Sequence, residues 1–188
     1  MTAATELGPD QWFPSVMGAL TGLQGILFLV YTAGLMFVLR FFAGPLVHQI
    51  SPLGVLAGSS VLSAIGLYWL GSLSVGVSAI TAFAAATVFG IGKAYFWPTM
   101  LGVTAEQFPR GGGLLINLMG GAGLLSVAVA LPVMGRYFDQ FGAGAALRYV
   151  AVLPVILIFV FVALSGYFRL RGGYRPVHLA QAEASTTP

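Results

Sequence analysis

Residues 52–70 read PLGVLAGSSVLSAIGLYWL, Pro52 to Leu70, without one Asp, Glu, Lys, Arg or His. A hydrocarbon core about 30 Å thick is crossed by about 20 mostly apolar residues in α-helix, and this stretch has that length and content. It sits inside a longer run, Phe41 to Gly92, in which no full charge occurs and only His48 can gain one. That run exceeds one crossing, and two clusters divide it: Gly44-Pro45 through Ser51-Pro52, and Gly71-Ser72-Leu73-Ser74-Val75-Gly76. Proline lacks an amide donor and glycine loses extra backbone entropy on ordering, so both clusters mark helix ends. One helix is expected at 52–70 and the next at about 77–101.

The same reading extends outward. No acidic or basic residue lies between Asp10 and Arg40, which predicts a first helix at about 18–42. Two more apolar stretches predict helices at about 113–134 and 147–168. The chain as a whole is 58% hydrophobic and 7% charged, with mean hydropathy +0.94. A soluble domain carries about 25% charged residues to wet its surface, so the outer solvent of this chain is expected to be lipid. The fold class is therefore all-α: a polytopic transmembrane bundle at 18–172 with about five membrane-spanning helices. Residues 1–17 read as an extracytoplasmic segment with no basic n-region of a signal peptide, and 173–188 as a disordered cytoplasmic tail.

Basic residues set the orientation. Arg40, Arg110, Arg169, Arg171 and Arg175 collect on one side, and Arg136 and Arg148 on the other. The richer side is expected to be cytoplasmic, which puts a multi-pass protein in the cell membrane with its N-terminus outside and its C-terminus inside. The net charge of +3 is too small to suggest nucleic acid, and the absence of cysteine excludes disulfides and thiolate metal sites.

Lys93 is the most informative single residue. A lysine near a helix centre costs about 2.5–3.5 kcal/mol on insertion scales, so it should face the bundle interior or water. Trp97 lies one turn on, on the same face. Lys93 thus lines a solute or proton pathway, or else snorkels to the headgroups. Pro98 should kink the helix and free a carbonyl one turn earlier. Gln24, Tyr31 and Thr32 share a face of the first helix, and Asn117 opens the fourth; either substrate contact or an interhelical hydrogen bond accounts for them. Glu106 and Arg110 flank a short connection and have each other or Arg40 as ion-pair partners, with a solvated loop as the alternative. Gly18-x-x-x-Gly22, Gly54-x-x-x-Gly58 and Gly120-Gly121-x-Gly123 have the spacing of close helix packing. Every Asp and Glu falls outside the expected spans. No nucleophile–base pair, paired acids, metal-ligand cluster or nucleotide fingerprint is present, so no enzyme activity, cofactor or metal is expected.

The stretch Gly90-Ile-Gly-Lys-Ala-Tyr-Phe-Trp-Pro-Thr-Met-Leu-Gly-Val-Thr-Ala-Glu-Gln-Phe-Pro-Arg110 resembles the tenth helix and following loop of the major facilitator superfamily. Asn117 through Gly123, then Pro132, Gly135, Asp139 and Gly142, are similar to its eleventh helix. Arg40 through Pro52 is similar to the loop between helices eight and nine: Gly44 and Leu46 match its signature, while His48 stands at the aspartate position. The resemblance implies a partial major facilitator fold, helices eight to twelve of a twelve-helix carrier that moves a small solute by alternating access. The N-terminal half would come from the same longer chain or from a separate subunit. Gln24, Tyr31, Lys93, Trp97 and Asn117 become candidate substrate-cavity residues, and Arg40, Glu106 and Arg110 candidate members of a cytoplasmic gate. The alternative is a non-transporting bundle that binds a partner protein through its glycine faces.

Overall fold

The computed structural model describes residues 1–175, apart from the side chain of His48. The tail expected to be disordered therefore lies, beyond Arg175, outside the described residues. All regular structure in the described residues is helical. Eight α-helices follow in order: α1 Thr2–Thr21, α2 Ile26–Arg40, α3 Ala43–Ile50, α4 Pro52–Gly71, α5 Ala79–Ala94, α6 Phe96–Gln107, α7 Gly112–Val150 and α8 Val152–Leu170. A single 3₁₀ turn, Pro109–Gly111, joins α6 to α7.

Among the described residues, three helical stretches are long and apolar enough to cross a membrane: Pro52–Gly71, Ala79–Gln107 and Pro109–Leu170. The first has nearly the bounds expected from sequence. Ser51, held at φ 81°, turns the chain out of α3, and its side chain accepts the amide of Gly54 to cap α4, with Pro52 in the first turn. The second stretch covers the expected 77–101 helix from Ala79 onward and continues to Gln107, with a break at Tyr95. Pro98 explains the break, because it has no amide to offer the Ala94 carbonyl. The third stretch holds both helices expected at 113–134 and 147–168, run together and bent where Gly142 adopts φ 82°, ψ 174°.

The largest departure is at the start of the chain. Residues 2–17 belong to a 20-residue helix, and the helix expected at 18–42 is cut in two. Gly22 closes α1 in the left-handed conformation, its amide returning to the Gly18 carbonyl. Gly25 opens α2 pressed against the Pro14 carbonyl, where a Cβ would overlap the backbone. The Gly18–Gly22 pair thus builds a tight reversal between antiparallel helices instead of a packing face. Gly54 lies over its own cap at Ile50 and Ser51, and Gly58 is exposed with open space around it.

The close helix contacts arise elsewhere. At Gly66 a Cβ would stand 2.5 Å from the Phe89 backbone, and Gly92 sits as tightly on Ser63. This seam of small residues brings α4 and α5 backbone to backbone. Around it lies the main core: Phe13 and Met17 of α1, Phe28 of α2, Leu67 of α4, Phe89 of α5 and Leu147 of α7, all fully buried. α1 is therefore an integral rod of the bundle.

Candidate functional site

Glu6 and Asp10 are one turn apart and share a face of α1. Asp10 pairs through Oδ1 with the ammonium of Lys93 on α5; the Lys93 side chain is 1% exposed and that of Asp10 19%. Phe89 lies beneath the same ammonium, its ring centroid 5.1 Å from Nζ, so a cation–π contact adds to the pair. One turn nearer the chain start, Glu6 Oε1 accepts Nη2 of Arg40 at 3.0 Å. Arg40 Nε donates in turn to the Ala94 carbonyl at 3.2 Å. That carbonyl is the one Pro98 leaves without an amide, so the guanidinium repairs the helix break while it binds the acid. Two carboxylates of α1 thereby hold two cations on α2 and α5 at the point where the α5–α6 rod is broken.

A cavity of about 340 Å³ opens beside this network. Glu6, Arg40 and Trp97 form its polar and aromatic wall, and Gly120, Gly123 and Leu124 of α7 face them. The absence of side chains at Gly120 and Gly123 gives the Trp97 ring its room, with ring atoms 3.8 and 3.9 Å from where their Cβ atoms would be. No family model, curated protein or solved structure matches the chain. The chemistry of the site must therefore be read from its own geometry.

Of the cavity residues expected from sequence, the structure brings Lys93 and Trp97 to this region and leaves three others apart. Gln24 is exposed in the α1–α2 reversal. Tyr31 is exposed on α2, its hydroxyl 2.7 Å from Thr87 Oγ1 and its ring edge-on to Phe83. Asn117 is exposed on α7. The expected gate trio is also divided. Arg40 belongs to the ion-pair network. Glu106 instead accepts the Tyr174 hydroxyl at 2.7 Å, beside a bond from Gln107 Nε2 to the Arg175 carbonyl. Burial, reinforced by the bond to Glu106, raises the Tyr174 pKa, so the phenol stays protonated and donates at neutral pH. Arg110 is exposed after the 3₁₀ turn begins. Pro98 lies in the first turn of α6, just past the break.

Sequence reasoning missed Glu6 and Asp10, placing them outside the bundle. Both are in α1 and largely covered, with Glu6 among the buried residues. A signal was available: the chain has five acids, and a lysine deep in a span needs one of them. The spacing of four between Glu6 and Asp10, before an apolar run, marks them as a helical pair. Among the described residues no group of three His, Cys, Asp or Glu side chains converges to hold a metal.

Proposed function

We propose that the chain is the C-terminal part of a secondary active transporter of the major facilitator type, carrying a small solute across the cell membrane by alternating access. The observation that supports this most is the buried Asp10–Lys93 ion pair, with the partly exposed Glu6–Arg40 pair one turn away beside a cavity walled by Trp97. Charges placed inside an apolar bundle are costly to desolvate and stabilise little over apolar residues, so a working role accounts for them better than stability does. A pair that can open and re-form gives the bundle two arrangements of similar energy, which a carrier needs.

On this reading α1 and the shorter α2 also cross the membrane. Counting α1, α2, α4, the α5–α6 rod and the two parts of the α7–α8 run gives six rods, the number in one half of such a carrier. α1 then takes the place of helix seven, and both ends of the described chain face the cytoplasm. The other half would pack on the α7 face bearing Leu114, Leu118 and Leu125, which is exposed and adjoins the cavity through Leu124. Those leucines recur at helical spacing, with Gly121 between them in open space.

The test is solute counterflow in membrane vesicles containing the native protein, run over a panel of labelled sugars, nucleosides and organic acids. One class of solute should exchange, and Lys93→Ala should reduce that exchange at least tenfold at normal membrane levels. Exchange unchanged by Lys93→Ala removes the ion pair from the mechanism. No exchange of any solute overturns the transporter reading itself.

A further inference from the structure

A second cavity lies along the seam between α4 and α8. It is an open groove of about 700 Å³. Ala64, Ile65, Tyr68 and Trp69 of α4 form one wall, and Val152 and Val155 of α8 form the other. Most of these side chains are large, apolar and exposed: Ile65, Tyr68, Trp69, Val152 and Val155 all stand free of the core. In a chain with membrane-crossing helices, such a surface meets lipid tails.

One end of the groove is different in chemistry. Arg148 stands there with Ser72, at the C-terminal end of the α4 span. Its stem packs on Gly71, where a Cβ would stand 2.7 Å from Arg148 Cγ. The anchored stem holds the guanidinium at the groove mouth. Among the described residues no carboxylate pairs with Arg148; the two ion pairs use Arg40 and Lys93. Tyr68 and Trp69 flank the same end, and tyrosine and tryptophan favour the headgroup level of a bilayer. From Ala64 to Ser72 the groove runs about 12 Å along the helix axis, close to the roughly 15 Å of hydrocarbon in one leaflet.

We infer that this groove binds an anionic phospholipid, its phosphate on Arg148 and one acyl chain between α4 and α8. The charge, the aromatic pair and the depth all match one lipid and not a peptide helix, which would bury the unpaired arginine against apolar side chains. The cation attracts the phosphodiester, and the apolar walls take the tail without requiring any polar group to lose its partner. This site is independent of the transport reading and stands or falls separately from it.

Native mass spectrometry of the detergent-purified protein tests it, after delipidation and addition of phosphatidylglycerol or phosphatidylcholine. The wild type should retain phosphatidylglycerol roughly fivefold better, about what one basic side chain contributes near an anionic lipid surface. Arg148→Gln should abolish that preference, Arg148→Lys should keep most of it, and Arg136→Gln should leave it intact. Ala64→Trp, which fills the groove, should lower retention of both lipids. Equal retention of the two lipids by the wild type overturns the proposal. So does an unchanged preference in Arg148→Gln. Should that variant fail to fold, Ala64→Trp decides: unaltered retention there rules the groove out. Displacement of the lipid by millimolar inorganic phosphate would assign Arg148 to a free anion and also overturn it.

Discussion

α1 and α4 are both 20-residue helices in one bundle, and they are held there by opposite means. α4 has no charged side chain and packs through small residues, with Gly66 on the Phe89 backbone and Ser63 beneath Gly92. α1 carries Glu6 and Asp10, contains Pro9 and Pro14, and is tied to its neighbours by ion pairs as well as by Phe13 and Met17. Close packing of small residues has a steep, short-ranged energy and one good geometry. An ion pair in low dielectric is strong but exchangeable, because water, a proton or another ion can take either place. α4 therefore reads as fixed framework, and α1 as the helix whose attachment can change.

Breaking one member of the Asp10–Lys93 pair should have the largest effect on stability. Asp10→Ala strands an ammonium that is 1% exposed, and leaving a buried charge without its partner costs about 3–5 kcal/mol. In detergent, thermal unfolding followed by tryptophan fluorescence should shift strongly downward. The double variant Asp10→Asn with Lys93→Met should regain most of the loss, since two neutral side chains no longer need each other. A melt unaffected by Asp10→Ala would show that water reaches the lysine, and the contrast between α1 and α4 would collapse.

The framework role of α4 is broken by one methyl group. Gly66→Ala places a Cβ 2.5 Å from backbone atoms of Phe89, which cannot move aside as a side chain can. Overpacking of this kind costs about 1–3 kcal/mol. Gly58→Ala, on the same helix but with nothing within 4 Å, should leave the melting temperature unchanged. Equal melts for the two variants would mean that α4 and α5 separate easily, and that the seam is no more rigid than the ion pairs.

The same contrast explains what the sequence disclosed. α4 was legible almost to the residue, because an uncharged run ended by Ser51-Pro52 and Gly71 leaves little else for the chain to do. The Pro98 break was legible too, since a missing amide is a local fact of covalent structure. α1 was hidden because its two acids imitate an exposed segment, and their neutralisation comes from Arg40 and Lys93, 34 and 83 residues away. Gly18 and Gly22 have the spacing of a packing pair, and only the Pro14 carbonyl lying against Gly25 shows that the segment is a reversal. Of the residues singled out from sequence, Trp97 lines the cavity and Lys93 lies in the ion pair with Asp10. Gln24, Tyr31 and Asn117 were named through the family resemblance, and the structure leaves them exposed and apart from that cavity.

The smallest effect should come from the outer of the two α1 pairs, and it separates their roles. Arg40 is 38% exposed, so water can replace much of what Glu6 offers it. Its second bond, to the Ala94 carbonyl, does not depend on the acid. Glu6→Gln keeps an acceptor oxygen at the same place and should lower stability by no more than about 1 kcal/mol, the upper range for exposed ion pairs. Arg40→Ala should cost more than Glu6→Gln, because it also uncovers the carbonyl that Pro98 leaves unpaired. A thermal-melt series with both variants measures the difference. If Glu6→Gln proves as damaging as Asp10→Ala, the two acids act as one coupled unit, and α1 is held as firmly at Glu6 as at Asp10.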